Sequence, residues 1–168
     1  MSSGKELGEA LAGCLKEVSS LLGHANMIAL KQRDALTANN AEDIVLTCTA
    51  NEEILRRISE ADRRAAAVAA ELAVSAGLDP DNSDQKSLAM AAGITYCTAI
   101  EAEMQSISAL AGKLRRANEV NNKLLRNGME IITECLRTIA DDRGPAPYSK
   151  DAHFQPCQPL TLSLDLRV

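Results

Sequence analysis

Few residues in this chain are of a type and spacing that could do chemistry. There are two histidines, His24 and His153. His24 falls inside a helical pattern without a metal-spaced companion, and His153 sits in a Pro-punctuated tail. A Ser–His–Asp or Cys–His group is assembled by the fold, but no local signature of one, such as a nucleophile elbow, occurs. Nor is there a phosphate-cradling loop or a dinucleotide glycine pattern. Glu52–Glu53 and Asp141–Asp142 are adjacent pairs, which a helix points to different sides, so neither makes a carboxylate dyad. The five cysteines, Cys14, Cys48, Cys97, Cys135 and Cys157, are odd in number, widely spaced and lack a CxxC. That pattern argues against a disulfide framework or a zinc site. Free thiols acting as small hydrophobes in a reducing cytoplasm fit it better. No catalytic, metal or cofactor site is expected. An enzyme built inside a helical bundle would need inward-facing Glu and His pairs that two histidines cannot supply.

The chain must therefore act through its surfaces, and composition says which kinds. Its 168 residues are enough for one ordinary domain. Hydrophobic residues make up 46%, yet there is no Trp, two Tyr and one Phe, so the core must be aliphatic and Ala-rich. Small and aliphatic side chains at helical spacing suit long helices packed closely. A formal net charge of −5 argues against nucleic-acid binding, which needs a basic face. The Arg pairs at 56–57, 63–64 and 115–116 read as solvated helix faces. No secretory signal is expected, because Met1 to Ala10 lacks a basic segment followed by an apolar one. The most apolar stretch, Ala65 to Ala76, carries Glu71 and is too short for a membrane span.

Periodicity predicts the positioning elements. A first helix runs from about Ser3 to Ala38, with Ser3 and Glu6 at capping-box spacing and a stripe of Leu7, Leu11, Cys14, Val18, Leu22, Ala25 and Ile28. A second runs from about Ala41 to Ala76, opened by Asn40 with Asp43. Its stripe is Ile44, Cys48, Leu55, Ile58, Ala65, Val68 and Leu72, and Gly77 with Pro80 ends it. A connector holds a short helix from Asp84 to about Ala92, capped by Asn82 or Ser83, anchored by Leu88 and Met90 and stopped by Gly93. A third long helix is expected from Thr98, where Thr98 and Glu101 form a capping box, to Asp142. The expectation is an all-α fold: an elongated bundle of three long antiparallel helices with a short connecting helix. Residues 1–143 form the helical domain, and 144–168 an irregular C-terminal tail that opens with Gly144–Pro145–Ala146–Pro147. Within that tail Leu160, Leu162, Leu164, Leu166 and Val168 alternate at strand spacing without a visible partner strand.

Two features of the third helix point to a surface. Asn118, Asn121 and Asn122 cluster on one side of it. They form either a polar layer that sets helix register or a boundary between a core-packing and a partner-binding stretch. Beyond them Leu124, Leu125, Gly128, Ile131, Ile132, Cys135, Leu136 and Ile139 make a broad apolar face suited to an amphipathic helix from a partner. Leu125→Asp or Ile132→Asp is expected to abolish that binding and leave the fold helical.

The ordered set of features resembles the FlgN-like family of export chaperones for flagellar hook–filament junction proteins. The residues carrying the resemblance are Asn51–Glu–Glu–Ile–Leu–Arg–Arg–Ile58 on the second helix, the break with a short helix around Ser87–Leu88, and Asn118–Glu–Val–Asn121–Asn–Lys–Leu–Leu125 on the third. Tyr148–Ser–Lys–Asp resembles a Tyr motif after that helix, with Ala152 where the family has Gly. The resemblance implies a cytoplasmic protein of long helices that binds the C-terminal helical segments of unassembled junction proteins. It also implies delivery to the gate of the flagellar type III export apparatus, with Tyr148 as the gate contact. The competing reading is a structural or adaptor coiled coil that self-associates, which the interior glycines and irregular stripes disfavour.

Overall fold

The computed structural model describes residues 4–79 and 85–141, the side chains of 85, 94, 95 and 141 excepted. All regular structure among them is helical: α1 (Gly4–Thr37), α2 (Ala41–Ser75), α3 (Gln85–Ala91) and α4 (Ile94–Asp141). The chain divides into two compact units, Met1–Arg126 and Asn127–Val168.

Local signals set most boundaries. Asn40 stands in extended geometry before α2, and its side chain accepts the Asp43 amide at 3.3 Å. Asn39 takes the left-handed conformation, φ 51°, that Asn tolerates, which turns the chain between α1 and α2. Gly77 (φ 71°) closes α2, and the Leu78 amide reaches back to the Ala73 carbonyl at 2.9 Å, as a left-handed C-terminal cap requires. Gly93 (φ 86°) stops α3.

The start of α4 corrects the sequence expectation. The helix begins at Ile94, four residues ahead of the Thr98–Glu101 box, because the Gly93 carbonyl already accepts the Tyr96 and Cys97 amides at 3.1 and 3.0 Å. Thr98 is therefore an exposed interior position and caps nothing. The capping roles expected of Ser3, and of Asn82 or Ser83, lie outside the described residues, as does everything from residue 142 onward.

The core of the first unit lies in two successive clusters. Leu7, Leu11, Leu15, Ala65, Leu72, Ala89, Ala92 and Ile100 form one, drawn from all four helices and the turn after α3. Val18, Leu21, Leu22, Ala25, Ile54 and Ala61 form the other, with Ile107, Leu110 and Leu114 of α4 packed against it. The buried alanines let the helices approach closely, as the composition required. The tightest approach is at Gly8, where a Cβ would stand 2.8 Å from the Ala92 carbonyl oxygen. Glycine there is a packing necessity that overrides its poor helix propensity.

Polar contacts fix helix directions within this unit. Glu17 pairs with Arg64 and Gln32 with Cys48, so α1 and α2 run oppositely. Partners of α1 and α4 rise together: Glu9 with Tyr96, Ser19 with Ser106, Asn26 with the Leu110 carbonyl. Three expected core positions lie elsewhere. In α2 it is Ile54 that is buried, while Leu55 is 50% exposed. Cys48 is exposed, and Met90, expected to anchor α3, is 67% exposed; Ala89 takes that place. In each of these cases a neighbouring residue one position away, Ile54, Thr47 or Ala89, is the more buried and falls on the helix side that meets its partners.

Candidate functional site

The Asn cluster divides by position. Asn121 is buried, 2% exposed, and its Nδ2 donates to the Ala29 carbonyl at 2.9 Å and to Gln32 Oε1 at 3.0 Å. Gln32, itself buried, donates to Cys48 Sγ at 3.5 Å. This polar chain joins α4 to α1 and α1 to α2, the register-setting layer that sequence allowed as one reading. Asn121 Oδ1 is buried and has no hydrogen-bond partner among the described residues. Asn118 is half-buried and Asn122 exposed. The compact units divide a few residues beyond the cluster, between Arg126 and Asn127.

The expected binding residues follow. In the first unit Leu124 is half-buried and Leu125 is 38% exposed. In the second unit the described part of α4 forms an amphipathic arm. Gly128 is half-buried, Cys135 is exposed, and Ile131, Ile132, Leu136 and Ile139 are 65%, 60%, 45% and 57% exposed. Helical geometry gathers positions 128, 131, 132, 135, 136 and 139 within an arc of about 140° on one side of the helix. Met129, 54% exposed, extends that face and was missed, because an isolated Met beside a Gly does not continue the stripe. The opposite side is polar: Arg137 pairs with Glu134 at 3.5 Å, and the Thr133 and Thr138 hydroxyls bond back to the carbonyls of Met129 and Glu134. Tyr148 lies outside the described residues.

The remaining titratable groups point to packing and surface pairing. Burial raises the Tyr96 hydroxyl above its ordinary value, and the Glu9 carboxylate beside it adds to the shift. Burial likewise raises the Cys97 thiol, with Glu101 reinforcing it, so this thiol stays protonated near neutrality. Hydrogen bonding from Arg56 lowers the Glu53 carboxyl. Among the described residues no group of three or more His, Cys, Asp or Glu could hold a metal ion, and no helix is long and apolar enough to cross a membrane.

Described residues whose regular structure is helical throughout, with an exposed apolar helix face, suit binding to another helix. The family description "FlgN protein" matches residues 1–154, and the chain belongs to that family, the flagellar export chaperones. No curated protein and no solved structure matched the chain.

Proposed function

We propose that this flagellar export chaperone acts in the cytoplasm, holds the C-terminal helical segments of unassembled hook–filament junction proteins, and hands them to the export gate. The carrying observation is the exposed apolar face at Ile131, Ile132, Leu136 and Ile139. Four aliphatic side chains left in water on one helix face gain free energy when covered, and an amphipathic helix is the natural cover. Leu124, Leu125, Gly128 and Cys135 complete the cargo face in this reading. Gly128 has open space around it, so a cargo backbone could approach there. In this reading the three long helices form an antiparallel bundle, and Tyr148 is the gate contact.

The same face could pair with a second copy of the chain, which is the self-associating alternative. Light scattering of the protein alone and with a junction-protein C-terminal segment separates the two. A monomer that becomes a one-to-one complex supports the chaperone reading. A stable dimer that ignores the segment replaces it.

A further inference from the structure

The first unit carries a second apolar groove that the proposed cargo face does not use. It runs between α1 and α2 near their connecting turn, as two adjoining cavities that share Ile28, Lys31 and Ala50. Their volumes are about 370 and 570 Å³. Met27 and Leu46, 57% and 60% exposed, add apolar surface to the two cavities. On α1 the lining positions recur at 24, 27–28, 31 and 34–35. Asn26, which bonds α4, lies two residues from His24 and so about 200° around the helix. The groove thus opens on the side of α1 away from α4.

Its charges are ordered along its length. Arg57 lines the first cavity, Lys31 stands where the two meet, and neither forms an ion pair among the described residues. The acid beside them, Glu53, is held by Arg56 at 2.8 Å and also lies in the field of Arg57, so this end carries one more positive than negative charge. The second cavity is lined beyond Lys31 by Asp34 and Asp43, whose partners among the described residues are Arg33 at 3.7 Å and Asn40. One end is therefore positive and the end near the α1–α2 turn negative. From Arg57 to Asp43 is about 21 Å of α2, the length of a helix of roughly 14 residues.

We infer that this groove docks an amphipathic helix of a partner protein, acidic in its N-terminal half and basic in its C-terminal half, lying parallel to α1. The acidic half sits over Arg57 and Lys31 and the basic half over Asp34 and Asp43. That polarity is also the one a helix dipole favours, acids near the N-terminus and bases near the C-terminus. Apolar side chains at steps of three and four cover Met27, Ile28, Leu46 and Ala50. The inference is independent of the cargo face, and its test distinguishes the two.

The probe is a labelled synthetic amphipathic peptide of roughly 18 residues with Glu in its first half and Lys in its second. A peptide of identical composition with the charge polarity reversed is the control. Both are titrated against the full-length protein by fluorescence anisotropy. The expected result is saturable binding, at least about tenfold tighter for the first peptide. Lys31→Glu/Arg57→Glu abolishes that preference, and Ile132→Asp leaves it unchanged. Both substituted charges are exposed, so helicity is retained. Equal affinity for the two peptides, or no saturation, overturns the inference. So does binding lost in Ile132→Asp but kept in the double variant, which places the peptide on the cargo face. A dimer that the double variant dissociates assigns the groove to a second copy and also overturns it.

Discussion

Replacing Asn121 by Asp changes one atom type in the buried polar layer, and its cost can be worked out. Asn121 Nδ2 now gives hydrogen bonds of 2.9 and 3.0 Å to two oxygens, the Ala29 carbonyl and Gln32 Oε1. A buried carboxylate oxygen at that point would face two acceptors, so the side chain takes up a proton instead. Holding an Asp neutral at pH 7, about three units above its ordinary value, costs roughly 4 kcal/mol. The resulting hydroxyl satisfies only one of the two acceptors, and the unmet bond adds about 1 kcal/mol. The total, about 5 kcal/mol, is comparable with the whole stability of a marginal domain. A carboxyl whose folded pKa is raised destabilises above its unfolded pKa and recovers as pH falls. At pH 4 the loss therefore shrinks to about 1 kcal/mol. Thermal unfolding followed by circular dichroism at the two pH values, against Asn122→Asp at the exposed neighbouring position, is the assay. The expected drop in Tm at pH 7 is of the order of 10–20 °C for Asn121→Asp and negligible for Asn122→Asp. Equal losses for the two variants, or a loss for Asn121→Asp that does not change with pH, would refute the reasoning.

Further expectations follow from the packing. Ile132→Asp on the exposed arm leaves thermal stability nearly unchanged but weakens cargo binding by roughly 1–2 kcal/mol or more, read by calorimetry, since the apolar area it would bury is replaced by a charge. Ile100→Ala, at a fully buried position, instead costs about 2–5 kcal/mol of stability in denaturant unfolding. Gly8→Ala destabilises because its Cβ meets the Ala92 carbonyl at 2.8 Å, while Gly13→Ala, with nothing within 4 Å, stabilises by up to about 1 kcal/mol; paired melting curves check the opposite signs. Raised by burial and by Glu9, Tyr96 contributes stability at neutral pH that is lost as pH climbs through its folded pKa, so Tyr96→Phe flattens the alkaline limb of a stability–pH profile.

Much of the fold was legible because its punctuation is chemically specific. Asn40 caps α2, and Gly77 and Gly93 take positive φ where the pattern placed helix ends. The stripes were legible to within one position, and Leu55 for Ile54 shows the limit: both are apolar neighbours, and only the direction of the packed partners chooses between them. The Thr98–Glu101 spacing misled because capping depends on whether the backbone before it is already helical, and Gly93 had started the turn earlier. The polar layer was half legible. Three Asn residues were visible, but that Asn121 alone is buried and meets Gln32 depends on how α1 and α4 align. The apolar arm was legible as a face, since its spacing is regular. Whether such a face is core or surface depends on what packs on it, which no periodicity carries.

Calorimetric titration of the full-length protein with the C-terminal segment of a hook–filament junction protein shows whether the apolar face of α4 binds a cargo helix. Saturable one-to-one binding with a negative heat-capacity change, the mark of apolar burial, is expected, and it is lost in Ile132→Asp. Absence of binding, or binding indifferent to Ile132→Asp and Leu136→Asp, would contradict this expectation.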